Sequence, residues 1–315
     1  MKPYYEHAGI VLYHGDAREI LPTIAAGSID FIFTDPPYGH NNNNGDLISR
    51  WEAALGRLPS GEESPAGRPI ANDGPEANEL VQWAFREWAR LLSPGCCCCC
   101  CCCGGGGPDP QFARWSLWLD AAIGFKQMVI WDKGPMGMGW HYRRSYETVL
   151  VGEKPGAACR WFDDTDRVEN VIRGLPKIIP QKADHPTPKP VALAEHFIRL
   201  HTKPGDLVLD CFAGAGSTLH AAKNGGRRAI GIELSEEYCE MAARRLSQEV
   251  FDWNEPVGTP ANQPPVEEQR TRDATTPCWL LAMRDADEDA ERHFESLLPA
   301  GDDAGPNAPP QGGDR

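Results

Sequence analysis

No apolar run in the 315 residues is long enough to cross a bilayer as a helix. The N-terminus also lacks the charged, apolar and small-residue succession of a signal peptide. Both absences point to a cytoplasmic protein with no membrane partner. Basic charge is scarce: 31 Lys+Arg face 45 Asp+Glu, a formal net of −14. That balance argues against a surface that is attractive to phosphate everywhere. The deficit is uneven, however. Residues 249–315 hold 15 acidic against 5 basic residues, a net of −10, which leaves −4 for the other 248. Residues 126–203 hold 13 basic against 9 acidic, a net of +4, so a locally basic face can still meet phosphates. Zinc-finger spacing is missing too. Among twelve cysteines, no Cys-x-x-Cys pairs lie a finger-length loop apart, and no metal is expected.

Eight of the cysteines are consecutive, Cys96 to Cys103. Neutral cysteine behaves as a small buried hydrophobe. Placed between Pro94-Gly95 and Gly104 to Gly107, the run reads as a fully buried strand. Other strands are expected at Ile10–His14, Ser28–Phe33, Phe125–Trp131, Thr148–Val151, Leu207–Asp210 and Ala229–Ile232. Helical spacing marks a short helix after Asp16, then residues 79–92, 111–123, 191–201, 218–224 and the stretch after Ser235. Strands alternating with helices predict an α/β fold built on a mostly parallel sheet.

Three stretches carry chemistry. In the first, the apolar Ser28–Phe33 ends in Thr34-Asp35-Pro36-Pro37-Tyr38-Gly39. The prolines cannot donate to a ladder and stop the strand. They leave a carboxylate, a rigid turn and an aromatic ring together at a strand's C-terminal end, where ligands bind in open α/β sheets. An exocyclic amine of adenine or cytosine is a poor nucleophile, its lone pair being delocalised into the ring. A carboxylate and a backbone carbonyl that accept both its N–H hydrogens favour a more tetrahedral nitrogen, and Tyr38 can stack on a flipped base. The second stretch is His185-Pro186-Thr187-Pro188-Lys189-Pro190, where Pro190 can open a helix and Thr187 and Lys189 offer donors. The third is Asp210-Cys211-Phe212-Ala213-Gly214-Ala215-Gly216-Ser217-Thr218, a strand running through a glycine turn into a helix. It lacks the third glycine of the dinucleotide G-x-G-x-x-G pattern. Glu233 follows Asp210 by 23 residues, a spacing suited to holding ribose hydroxyls.

Asp35 to Tyr38 resemble the [DNS]-P-P-[YFW] signature of S-adenosylmethionine (SAM)-dependent DNA amino-methyltransferases. The H-P-[TA]-x-K-P and D-x-F-x-G-x-G elements are similar to the same family's, with Cys211 where the family usually has proline. The resemblance covers roughly residues 8–250. The signature precedes the glycine loop, an order that identifies the β class. It implies a Rossmann-like methyltransferase fold with a seven-stranded sheet, helices on both faces and circularly permuted motif order. It implies Asp35, Pro36, Pro37 and Tyr38 as the catalytic turn. It implies SAM as cofactor, held by Asp16, His185, Thr187, Lys189, Asp210, Phe212, Gly214, Gly216, Ser217, Thr218 and Glu233. Asp16 at its Gly-Asp position can also serve simply as a helix N-cap.

Double-stranded DNA is the implied substrate, with Lys133, Arg143, Arg144, Arg160 and Lys177 as candidate DNA contacts. A homodimer and a partner restriction nuclease are compatible with this reading. Residues 1–250 form the expected catalytic domain. Within it, 40–78 are expected to be a mobile or DNA-contacting loop and 152–184 a short target-recognition segment. Residues 251–315 read as an acidic, largely disordered tail. Asp-Pro-Pro-Tyr is more usual among adenine N6 members of the family, and Ser-Pro-Pro-Tyr among cytosine N4 members. Adenine N6 is therefore the expected target. Cytosine N4 methylation and a non-catalytic SAM-fold subunit are the alternatives.

Overall fold

The computed structural model describes residues 2–40, 49–50, 53, 56, 70–102, 111–134, 145–165, 167–175 and 189–247. His185, Thr187, Arg143, Arg144 and Lys177 lie outside these residues, as do the expected acidic tail and most of the 40–78 loop.

Nine strands form one sheet among the described residues: β1 (Tyr5–His7), β2 (Ile10–His14), β3 (Ile29–Thr34), β4 (Leu92–Cys102), β5 (Phe125–Asp132), β6 (Tyr146–Glu153), β7 (Val171–Ile172), β8 (Leu207–Asp210) and β9 (Arg228–Glu233). Their order is β1-β2-β9-β8-β3-β4-β6-β5-β7. The inner seven are the expected sheet. The two extra strands are short edge pieces, of three and two residues. From β2 through β4 every pairing is parallel. On the far side, β4–β6 and β6–β5 are antiparallel.

The helices are α1 (Ala17–Ile20), α2 (Ala77–Leu91), α3 (Gln111–Ala122), α4 (Val191–His201), α5 (Ser217–Asn224) and α6 (Glu236–Leu246). α1, α2 and α3 cover one face of the sheet, burying Ile20, Val81, Phe85, Trp88, Trp115 and Leu119. α4, α5 and α6 cover the other, through Leu193, Phe197, Ile198, Leu219, Ala242 and Leu246. No described helix is long and apolar enough to cross a membrane.

The cysteine run, through Cys102, lies in the inner strand β4. Because side chains alternate across a strand, Cys97, Cys99 and Cys101 face α4–α6 while Cys96, Cys98 and Cys100 face α1–α3. A strand covered on both sides needs small apolar residues at every position. The strand starts earlier than the run: α2 ends at Leu91 and β4 begins at once with Leu92-Ser93-Pro94-Gly95. A register shift between Ile29–Leu92 and Phe31–Cys97 absorbs these residues as a bulge. Gly95 is required there. Its φ is +77°, and a Cβ would stand 2.3 Å from the Ala158 carbonyl oxygen.

The chain steps from β3 to β4 in one direction and from β8 to β9 in the other. The strand order therefore reverses between β3 and β8, a topological switch point.

Candidate active site

Four parallel neighbours, β2, β9, β8 and β3, end on the same edge of the sheet. Each delivers a carboxylate there or within two residues beyond: Asp16 after β2, Glu233 on β9, Asp210 on β8 and Asp35 just after β3. Adjacent strands are about 4.8 Å apart, so the row runs about 14 Å along the edge, the scale of a nucleoside with a side chain.

Asp210 and Asp35 flank the switch point. The buried Thr34 hydroxyl donates to Asp210 Oδ1 at 2.6 Å, and the Phe212 N–H donates to the same oxygen at 3.2 Å. Burial pushes the Asp210 carboxyl up to about 6, against the pull of its Thr34, Thr218 and Phe212 donors. The glycine loop follows. Gly214 and Gly216 hold φ of +49° and +76°, left-handed values open to glycine. At Gly216 a Cβ would stand 2.9 Å from Ala242 Cβ, so the residue also lets α6 approach the loop. Glu233 braces the loop from β9. Its Oε2 accepts the Gly214 N–H and its Oε1 the Ser235 N–H, both at 2.8 Å, while burial raises its pKa. Ser217 opens α5, and Arg245 Nη1 donates to its Oγ at 3.1 Å.

Asp16 caps α1, accepting the Arg18 N–H at 2.8 Å. It also takes the Arg18 guanidinium, which holds its carboxyl below the usual range. The cap and the ion pair are both local, and the Gly15 N–H bond to the Glu233 carbonyl (2.9 Å) ties this turn to the end of β9.

The Asp-Pro-Pro-Tyr turn is more tightly held than its sequence suggests. Asp73, 1% exposed, accepts the N–H groups of both Tyr38 and Gly39 on one oxygen, each at 2.8 Å. Those N–H groups lie beyond the two prolines, which have none of their own to anchor the chain. The Tyr38 hydroxyl donates to Asp35 Oδ1, and its ring stacks on Trp115 with centroids 6.1 Å apart. Asp35 is enclosed by protein, yet 24% of its side chain stays exposed, enough for an incoming donor. Burial raises its carboxyl, and the nearby Lys189 charge opposes that rise.

Lys189 is placed differently from the cofactor role the resemblance implies. Its ammonium meets Asp35 Oδ2 at 2.6 Å, and Lys133 pairs with Glu147 beside it at 2.9 Å. Two DNA-contact expectations need correction. Lys133 is turned inward by Glu147, with 15% of its side chain exposed. Arg160 lies at the opposite edge of the sheet, locked between Asp30 (2.6 Å) and Asp206 (2.5 Å). A guanidinium already shared by two carboxylates has little left to offer a phosphate.

Sequence reasoning passed over Asp73 and Thr34. The Asn72-Asp73-Gly74 turn signature was a signal for the first, with Asn72 at φ +58°. Nothing local signals the second, whose partner lies 176 residues away.

A glycine loop braced by a buried carboxylate, beside a carboxylate–aromatic turn at a switch point, defines a group-transfer site for a nucleoside-type cofactor. Residues 29–244 match the N6/N4 DNA methylase family, and the chain belongs to it. It is 28% identical over 282 residues to type II methyltransferase M2.DpnII of Streptococcus pneumoniae, covering 79% of this chain and 93% of that one. It is 27% identical over 269 residues to the DNA adenine methyltransferase YhdJ of Escherichia coli K12, covering 75% and 82%. Among solved structures, the M1.HpyAVI–SAM complex superposes with a TM-score of 0.54 at 27% identity, covering 76% of this chain and all of the other.

The protein is thus a SAM-dependent DNA methyltransferase. The site suits that cofactor on its own terms. Backbone at Gly214 and Gly216 leaves room for close approach, buried Glu233 and Asp210 can accept from hydroxyls, and the carboxylate row favours a sulfonium cation.

Proposed function

We propose that the protein methylates the exocyclic N6 of adenine in DNA, with Asp35 as the acceptor that orients the amine. The arrangement of Asp35 and Tyr38 at the switch point carries the reading. Asp35 presents a carboxylate beside the glycine loop, fixed through Tyr38 and Asp73. An amine that donates one hydrogen to Asp35 and the other to a carbonyl of the Pro36-Pro37 turn has its lone pair held in one direction. The prolines contribute no N–H to compete for those acceptors. Bound SAM supplies the electrophilic methyl group. Asp210, Glu233 and the Gly214–Gly216 loop would hold it, and the family resemblance gives Asp16 the contact to its adenine amino group. Positioning therefore does most of the work, and a strong base is not needed. The target base must leave the helical stack to reach an Asp35 set this deeply.

The aspartate in Asp-Pro-Pro-Tyr and the adenine specificity named for the Escherichia coli relative support adenine over cytosine N4. Mass spectrometry of nucleosides from unmethylated plasmid incubated with protein and SAM tests the choice. N6-methyladenine is expected. N4-methylcytosine would overturn the base assignment, and methylation of neither, with SAM bound, would favour a non-catalytic subunit.

A further inference from the structure

Lys189 engages both the carboxylate and the aromatic residue of the catalytic turn. Its ammonium is 2.6 Å from Asp35 Oδ2 and 3.2 Å from the Tyr38 hydroxyl. It also lies 5.4 Å from the centroid of the Tyr38 ring, the surface offered for stacking. Asp35 Oδ1 is taken by the Tyr38 hydroxyl. Each carboxylate oxygen therefore already holds one donor, and an incoming amino group competes with Lys189 for Asp35 Oδ2.

A second anion stands ready for the displaced one. Glu147 Oε2, on β6, is 3.4 Å from Lys189 Nζ, while its Oε1 holds Lys133. The lysine backbone is stiff, set between Pro188 and Pro190, with Pro190 capping α4. Movement is left to the four-carbon side chain, whose ammonium already lies 2.6 Å from one carboxylate and 3.4 Å from the other.

We propose that Lys189 is a positioning residue of the base site: its ammonium stands in for the target amino group on Asp35 and passes to Glu147 when the base arrives. The exchange keeps charge matched throughout, since the ammonium moves from one carboxylate to another without entering water. It also keeps Asp35 ionised until the amine is in place, whereas a protonated Asp35 would accept one hydrogen bond fewer. Burial alone favours the protonated form. Facing Asp35 are Lys189, Tyr38, Glu147 on β6, Cys101 on β4 and Asp210 on β8, with Lys133 from the end of β5 behind Glu147. Among these, Lys189 is the cation in contact with it.

The proposal rests on the methyltransferase reading, and the test separates the two. Wild type, Lys189→Met, Glu147→Gln and the double variant are compared by calorimetric SAM binding and by single-turnover methyl transfer from tritiated SAM to plasmid DNA. Lys189→Met should keep SAM affinity within about threefold yet slow transfer about tenfold or more near neutral pH, with recovery as pH rises and Asp35 ionises. Glu147→Gln should strand the ammonium on Asp35 and raise the DNA KM about tenfold, and adding Lys189→Met should relieve that defect.

Loss of SAM affinity in step with activity would make Lys189 a cofactor ligand and overturn the proposal. A double variant no better than Glu147→Gln would also overturn it. If Lys189→Met does not fold, Glu147→Gln decides alone: an unchanged DNA KM sinks the exchange. Wild type that binds SAM but methylates no DNA would sink the function reading instead.

Discussion

The adjacent strands β3 and β8 each carry an aspartate at both ends, and the two ends are built for opposite purposes. At the N-terminal edge, Asp30 and Asp206 share Arg160. Asp30 also takes the Leu207 N–H at 2.8 Å, and Asp206 the Lys203 N–H at 2.9 Å. Each carboxylate there meets a guanidinium and a backbone donor, which closes the β3–β8 gap and stabilises it. At the C-terminal edge, Asp210 is buried with a carboxyl raised to about 6, and Asp35 is likewise raised despite Lys189. The polar groups are equally dense, but their charges are held at a cost. Perturbed carboxylates of this kind mark the edge where chemistry happens, and ordinary pairing marks the edge that holds the sheet together.

Substitutions at the two ends should therefore separate activity from stability. Asp35→Ala should lower methyl transfer by about 10²–10³-fold or more, because the amine loses its charged acceptor, while calorimetric SAM binding persists. A fully active variant would erase the distinction between the edges. Arg160→Met should do the reverse. It leaves two partly buried carboxylates facing each other and should cost about 2–3 kcal/mol in urea unfolding, with SAM affinity unchanged. A loss of DNA affinity without loss of stability would return Arg160 to the DNA surface.

Asp210→Asn sharpens the contrast further. With a folded value near 6 against an ordinary 3.8, the proton is held more tightly in the folded state. This group's stabilising contribution is thus complete below about pH 4 and is lost as pH rises through about 6. The amide should remove that slope and gain up to about 2–3 kcal/mol at pH 8, while weakening SAM binding. Urea midpoints at pH 5 and pH 8 measure it, and parallel pH dependence in the two proteins would contradict the buried-charge account. Ser235→Ala should have the smallest effect. It removes the side-chain cap on the Tyr238 N–H but keeps the backbone bond from Ser235 to Glu233, so stability should fall by about 0.5–1 kcal/mol with SAM affinity retained.

Much of the fold was legible because strand and helix signals are local. Ile10–His14, Leu207–Asp210 and Val191–His201 fall where their apolar patterns put them. The cysteine run reads as a buried strand because sulfur at every position suits burial on both faces. The short strands β1 and β7 escaped, since three- and two-residue edge strands carry too little pattern and owe their form to their neighbours. At the site, Thr34 ties the start of the Asp35 turn to Asp210, and Glu233 braces the glycine loop. Arg160 and Lys133 were misjudged because a basic residue in sequence looks equally ready for a phosphate or a carboxylate. Only the fold shows Asp30, Asp206 and Glu147 waiting for them.

By itself, the sequence determined where strands stop. Two prolines end β3 after Thr34, and glycines at 214 and 216 permit the left-handed loop after β8, both consequences of backbone sterics within a few residues. Which carboxylates are neutralised and which stay poised was decided only by tertiary structure. The charge that meets Asp30 comes from 130 residues away, and the one that meets Asp35 from 154. Electrostatic pairing depends on distance through space and on burial, and no local pattern encodes either.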